Sequence, residues 1–164
     1  MRPTAQQLTS ERLTLEPLRV DHAAEMVAVL ADPTMYEFTG GDPPSEVDLT
    51  ARYRRQTAHD GWLNWILRLR STGEAVGTVQ ATLSGEAAEL AWVVSSRFQG
   101  AGYAREGMSA AIAWLRANGV HCFQAHIHPD HDASKAVAAR LGFEPTTCIR
   151  NGEVRWELPS RCHN

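Results

Sequence analysis

Val93-Val94-Ser95-Ser96-Arg97-Phe98-Gln99-Gly100-Ala101-Gly102-Tyr103-Ala104 is a strand that ends, a cluster of glycines and a helix that begins. Before it, residues 87–94 read as a strand. After it, residues 103–117 set Ala104, Met108, Ala111, Ile112 and Leu115 on one apolar stripe, and Asn118-Gly119 supplies a C-cap. The first turn of a helix has N–H groups with no partner inside the helix, and the helix dipole adds positive charge there. Such a turn suits a pyrophosphate. Gly100 and Gly102 allow unusual backbone angles and close approach of a ligand.

Toward the N-terminus, residues 63–70, 75–83 and 87–94 form a meander of three strands that turns at Ser71-Thr72-Gly73-Glu74 and at Ser84-Gly85. Residues 12–18 alternate Leu13 and Leu15 with Arg12, Thr14 and Glu16, the pattern of another strand. Asp21 opens a helical pattern that runs through Ala31 and is stopped by Asp32-Pro33. Thr39-Gly40-Gly41-Asp42-Pro43-Pro44 is a loop, and Ser45 with Asp48 forms a capping box for a helix over 46–58. That helix carries Arg52, Arg54 and Arg55 as a solvated face. Toward the C-terminus, residues 121–128 alternate as a strand, and 133–141 form a helix ended by Gly142. Asn151-Gly152 joins two short strands, 147–149 and 154–158. Strands mixed with helices in this order predict an α/β or α+β layered fold, and the whole chain, 1–164, is expected to be one domain.

The composition is that of an ordinary globular protein: 43% apolar and 21% charged in 164 residues. That excludes fibrous and largely disordered classes. Sixteen Lys plus Arg against nineteen Asp plus Glu give a net charge of -3, which disfavours a protein that lives on nucleic-acid phosphates. A small phosphate ligand stays possible, because a nest of N–H groups needs no net positive charge. Cys122, Cys148 and Cys162 are far apart and odd in number, which argues against a disulfide framework or a zinc knuckle. Residues 1–10 lack a basic patch followed by an apolar run, so no signal peptide is expected. No run of about eighteen apolar residues predicts a membrane span. A cytoplasmic setting is the default expectation.

Two common phosphate motifs fit poorly. A Walker A loop needs Gly-Lys-Ser/Thr at its close, and here Gly102 is followed by Tyr103-Ala104. The dinucleotide pattern G-x-G-x-x-G begins at Gly100 and Gly102 but meets Arg105 at its third glycine position. The acetyl-CoA pattern Q/R-x-x-G-x-G/A matches at each fixed position, Gln99, Gly102 and Ala104. With that turn, the chain resembles the GNAT superfamily of acyl-CoA-dependent N-acetyltransferases, and most of all its ribosomal-protein N-terminal acetyltransferase branch. Glu11-Arg12-Leu13-Thr14-Leu15-Glu16-Pro17-Leu18 resembles that branch's first strand, and Ala88-Glu89-Leu90-Ala91-Trp92-Val93-Val94 its fourth. Asp132-Ala133-Ser134 with Leu141-Gly142-Phe143 resembles its second CoA-contacting helix.

The resemblance implies a mixed, mostly antiparallel sheet of about seven strands flanked by about four helices, with acetyl-CoA as cosubstrate and no metal. It implies that the backbone of Val93 and Val94 pairs with pantetheine amides, and that Gln99, Gly100, Ala101, Gly102, Tyr103 and Ala104 give N–H groups to the pyrophosphate. Many relatives carry an Asn in the second segment and a Tyr seven residues later that protonates the leaving thiolate. Here those positions hold His131 and Ala138. The phenol is therefore absent. Ser134 stands where the ribosomal-type branch has a serine that can hydrogen-bond or protonate the sulfur; it also suits framing of the helix start. His131 is a candidate cofactor contact.

The implied reaction is acetyl transfer to a primary amine by direct attack in a ternary complex. An α-amine near pKa ~8 is roughly a tenth neutral at pH 7, so it needs little help from a base, whereas a lysine needs more. Glu89 shares a strand face with Ala91 and Val93 and is the candidate base, while a backbone N–H near Val93 is a candidate oxyanion donor. Cys122 reads as a buried thiol. Trp92, Tyr36 and Phe38 are candidates for the acceptor wall. Two other readings compete: a non-catalytic acyl-CoA sensor, suggested by the missing Tyr, and a metal-dependent hydrolase using His126, His128 and His131. The acceptor is expected to be a small-molecule or peptide amine, with no nucleic-acid or membrane partner and with a homodimer as a family-level expectation.

Overall fold

Alternation along the central strands sorts side chains onto two faces, and each face collects its own helices. The computed structural model describes residues 2–159. In chain order the elements are β1 (Leu8–Thr9), β2 (Leu13–Pro17), α1 (Ala23–Val29), α2 (Glu46–Ala58), β3 (Trp62–Leu69), β4 (Ala75–Ser84), β5 (Ala87–Val94), α3 (Tyr103–Ala117), β6 (Cys122–Ile127), α4 (Asp132–Leu141), β7 (Glu144–Arg150) and β8 (Glu153–Leu158). Short 3-10 turns lie at Val20–His22, Pro33–Tyr36 and Ser96–Phe98. The eight strands form one sheet in the order β1-β2-β3-β4-β5-β6-β8-β7.

On one face Leu63, Trp65 and Leu67 of β3, Val79 and Ala81 of β4, and Ala88 and Leu90 of β5 pack against Met108, Ala111, Ile112 and Leu115 of α3. On the other, Ile66 of β3 meets Met26 and Leu30 of the first helical segment and Leu49 and Tyr53 of α2. The helix α2 opens on the expected box, in which Asp48 N–H donates to Ser45 Oγ at 3.1 Å and Ser45 N–H donates to Asp48 Oδ2 at 3.2 Å. The sheet is closed onto α3 by Glu106. Its carboxylate accepts from Ser10 Oγ, from Arg12 N–H at 2.8 Å and from Arg12 Nε at 2.7 Å. Burial pushes the Glu106 carboxyl up, but these three donors outweigh it and hold the group below the usual carboxylate value.

All neighbours pair antiparallel except β5 and β6, and their pairing is short: Ala87, Ala88 and Glu89 against Cys122, Phe123 and Gln124. Past Glu89, β5 stays with β4 as far as Val94 opposite Gly77, whereas β6 stays with β8 as far as Ile127 opposite Val154. The two strands therefore part, and the remaining edge of β5 is left open toward the gap.

Four departures from the sequence expectations have local causes. The sheet has eight strands, the addition being β1, a two-residue edge strand too short to show a period. The first helical segment begins as a 3-10 turn and its α part ends at Val29. α4 starts one residue earlier, at Asp132, because His131 is its cap. β7 extends over Glu144–Arg150, longer than the 147–149 read from the sequence, since it is held by pairing to β8 and most of its side chains are exposed.

Candidate active site

The gap between β5 and β6 opens into a cleft of about 1120 Å³ that passes through the sheet. One end lies against the turn into α3 and the start of α4; the other lies under α2 and the 34–39 loop. Residues Gln99, Gly100, Gly102, Tyr103, Ala104, His131 and Ser134 line the first end, and Glu89, Ala91 and Val93 form the floor that leads to the second. Val94 also lines the cleft, while Ala101 belongs to the turn without being among its lining residues.

At the turn, Gly100 and Gly102 take φ of +83° and +84°, with Gly102 as the N-cap of α3. A side chain at either position would be strained. Gln99 Nε2 donates back to Val94 O at 3.1 Å and ties the turn to the end of β5. Among the described residues, no amide of residues 100–105 donates to a protein acceptor; the first amide of the helix to do so is that of Glu106, to Gly102 O at 3.0 Å. Consecutive unpaired N–H groups at a helix start form an anion-binding nest, which fits the diphosphate of CoA. Val93 is 41% exposed beside the gap, but against expectation its backbone does not face it. Val93 is the direct partner of Thr78 and its carbonyl turns toward Gly77, so the groups on the open edge of β5 are those of its neighbours Trp92 and Val94, available to an extended amide chain.

At the start of α4, His131 Nδ1 accepts the Ser134 N–H at 3.3 Å, and its Nε2 lies 3.2 Å from Ser134 Oγ. An accepting Nδ1 leaves the proton on Nε2, which donates to Oγ and frees the hydroxyl hydrogen of Ser134 for another acceptor. The ring stacks on Phe38 at 4.7 Å, and Phe38 also meets His128 at 5.1 Å. Burial first, and then the neighbouring His128, lower the pKa of His131. A base whose folded pKa lies below its unfolded value contributes in full above the unfolded value and loses that contribution as pH falls through the folded one. Thermal stability is thus expected to fall as pH is taken from about 7.5 to about 5.5. His131→Asn, which keeps a capping side chain and removes the titration, is expected to flatten that profile. Superimposable Tm profiles for the two proteins would show that His131 carries no such linkage.

At the other end, Glu89 Oε1 lies 2.6 Å from His126 Nδ1 and 2.7 Å from Arg150 Nη2. The carboxylate accepts only, so His126 donates its Nδ1–H to it. The three histidines are therefore divided: His126 belongs to Glu89, while His128 and His131 lie against Phe38. Among the described residues no group of three or more His, Cys, Asp or Glu is arranged to hold a metal ion. The acceptor-wall candidates Tyr36, Phe38 and Trp92 all line the cleft. The Trp92 ring points to the opposite face of the sheet, where it meets Phe143 edge-on at 6.5 Å. Cys122 is half-buried on β6, Cys148 is exposed on β7, neither lines the cleft, and Cys162 lies outside the described residues.

Sequence reasoning missed the partners of Glu89 and two polar groups of the floor, Tyr53 Oη and Asn64 Nδ2, both buried with no hydrogen-bond partner in the structure. The only signal for Asn64 was a polar residue between Leu63 and Trp65 in an apolar strand.

The profile of the acetyltransferase (GNAT) domain matches residues 12–144. The chain belongs to the GNAT family and is an N-acetyltransferase, using acetyl-CoA as the acetyl source. The fold is also that of solved structures. An acetyltransferase from Agrobacterium tumefaciens is 22% identical, with a TM-score of 0.77 and coverage of 96% of each chain. A GNAT acetyltransferase from Bacillus anthracis is 17% identical, with a TM-score of 0.78 over 93% of this chain and 96% of that one. The ribosomal L7/L12 α-N-protein acetyltransferase RimL in complex with coenzyme A is 16% identical, with a TM-score of 0.81 over 93% and 97%. No curated protein shows a significant match to the chain. Among the described residues no helix is long and apolar enough to cross a membrane.

Proposed function

We propose that this chain transfers the acetyl group to a primary amine, of a peptide N-terminus or a small molecule, by direct attack in a ternary complex. The observation that carries this reading is a cleft through the sheet with an amide nest at one end and a charged Glu89 at the other. Bound acetyl-CoA supplies the acetyl group as an activated thioester. The amides of Gly100, Ala101, Gly102, Tyr103 and Ala104 hold the diphosphate, with Gln99 bracing their turn, and the open edge of β5 at Val94 pairs with the pantetheine arm. His131 orients Ser134, whose Oγ–H points its proton at the sulfur. Glu89, ion-paired with Arg150 and hydrogen-bonded to His126, takes the proton that the amine loses. A backbone N–H next to Val93 on the open edge of β5 polarises the acetyl oxygen. Among the described residues no cysteine lines the cleft, in keeping with direct attack by the amine.

Calorimetry with coenzyme A and acetyl-CoA tests the grip, and release of free thiol in the presence of a panel of amines tests the transfer. Saturable binding and amine-dependent thiol release are expected. Absence of binding would overturn the assignment of the turn; binding without release by any amine would leave a sensor instead of a transferase.

A further inference from the structure

Tyr53 sits in the core between α2 and β3, 3% exposed, and its hydroxyl has no partner. The Asn64 side-chain amide is also buried and unpaired. Both groups line the acceptor end of the cleft. A phenol hydroxyl and an amide N–H stripped of water and left unbonded destabilise a fold, so their presence beneath an open cleft points to a ligand atom that completes them. Burial pushes the Tyr53 hydroxyl up to about 12, which keeps it a neutral donor at physiological pH.

We propose that Tyr53 Oη and Asn64 Nδ2 form a subsite for an oxygen of the acceptor, a carbonyl or carboxylate a few bonds from the reacting amine. This rests on the transferase reading given above. The register carries the geometry. Asn64 is opposite Gln80, Gln80 is opposite Ala91, and Thr82 is opposite Glu89 one step along the same face. Two strand spacings separate Asn64 from Ala91, about 10 Å between backbones. Side chains that reach toward each other across that span leave room for an amine at Glu89 and an oxygen at Asn64 in one small molecule or one chain terminus. Arg52, next to Tyr53 on α2, lines the cleft and has no ion pair among the described residues. Its charge favours a carbonyl or carboxylate and opposes the second cation of a polyamine. A plain alkylamine would leave Asn64 and Tyr53 unpaired and so forfeit the subsite.

The test uses the full chain with acetyl-CoA and four amines: alaninamide, alanine, isopropylamine and putrescine, with rates expressed per neutral amine. Alaninamide or alanine is expected to exceed both plain amines in kcat/KM. Tyr53→Phe and Asn64→Ala are each expected to reduce the preference for alaninamide over isopropylamine about 10-fold or more, through KM and not kcat. Tyr53→Phe is also expected to raise Tm by about 2–4 °C, since it removes an unpaired buried hydroxyl. A stabilised variant with weakened acceptor binding is a combination that a merely structural tyrosine does not give. Arg52→Gln separates the two oxygen sources: it raises KM for alanine alone if the oxygen is a carboxylate, and for neither if it is a carbonyl. Equal efficiency for plain amines, or preference ratios untouched in both variants, overturns the subsite while the transferase reading stands. Failure to bind coenzyme A overturns the transferase reading itself, and binding with none of the amines acetylated counts against both.

Discussion

Glu89→Gln is expected to lower kcat for an amine acceptor about 100-fold, the usual scale for loss of a general base, and to leave coenzyme A affinity within about twofold. Glutamine keeps the size of the side chain and removes the charge. Arg150 Nη2 and His126 Nδ1 both meet Oε1, at 2.7 Å and 2.6 Å, and the amide oxygen of glutamine can accept from both, so the variant loses the basic charge while the hydrogen bonds can remain. The proposed diphosphate nest consists of the backbone amides of residues 100–104, on the far side of the turn from Glu89, so the carrier should still bind. The split is the diagnostic. A fall in kcat with unchanged binding marks a proton acceptor, whereas a parallel loss of both would mean that Glu89 only braces the floor of the cleft. The alkaline limb of the kcat profile adds a second readout. With Glu89→Gln the rate should rise with pH as the amine deprotonates on its own. Unchanged kcat in the variant would remove Glu89 from the mechanism.

Gly77→Ala is expected to weaken coenzyme A binding at least 10-fold and to lower Tm by about 2–12 °C, from an overpacking cost of about 1–3 kcal/mol. Gly77 is paired with Val94 at the end of β4. A Cβ there would lie 2.1 Å from Val93 O and 2.9 Å from Val94 Cα. Both are backbone atoms, so no rotamer change relieves the clash, and β5 must move away from β4. Its free end is the segment that opens toward β6 and carries the Val93 and Val94 backbone. It also anchors the turn, through Ser95 N–H on Val76 O at 2.8 Å and Gln99 Nε2 on Val94 O at 3.1 Å. The strain is thus delivered to the atoms proposed to hold the pantetheine. Circular dichroism would establish that the sheet survives, and calorimetry would read the affinity. A folded Gly77→Ala protein with a wild-type isotherm would mean that the open edge of β5 at Val94 does not hold the carrier.

Several features of the site were open to inspection before any coordinates. The α3 stripe, the Ser45–Asp48 box and the Gly142 stop are set by residues within a turn or two of one another, and each appears where the pattern puts it. The nest of residues 100–105 follows from the same locality, since the missing acceptors of a first helical turn are a property of the helix itself. Ser134 was expected near the sulfur and His131 as a cofactor contact, and their three-residue spacing is what a helix cap requires. The division of the histidines was less visible. His126 and His128 share a strand face, yet one hydrogen-bonds Glu89 and the other meets Phe38, because the partner of each comes from a different part of the chain.

Short-range chemistry was therefore written in the order of residues: which segments are helical or extended, where they cap, and which amides are left without acceptors. Long-range pairing was decided by folding. Glu89 meets His126 and Arg150 across 37 and 61 residues, and Asn64 faces Gln80 and Ala91 only through the strand register. The opening between β5 and β6 is likewise a result of β6 following β8 while β5 follows β4. Local hydrogen bonds and helix caps depend on neighbours a few residues away, and those are fixed by covalent sequence. A proton acceptor, an oxygen subsite and a cleft between them depend on which distant strands are adjacent, and the whole set of packing and pairing energies selects that arrangement at once.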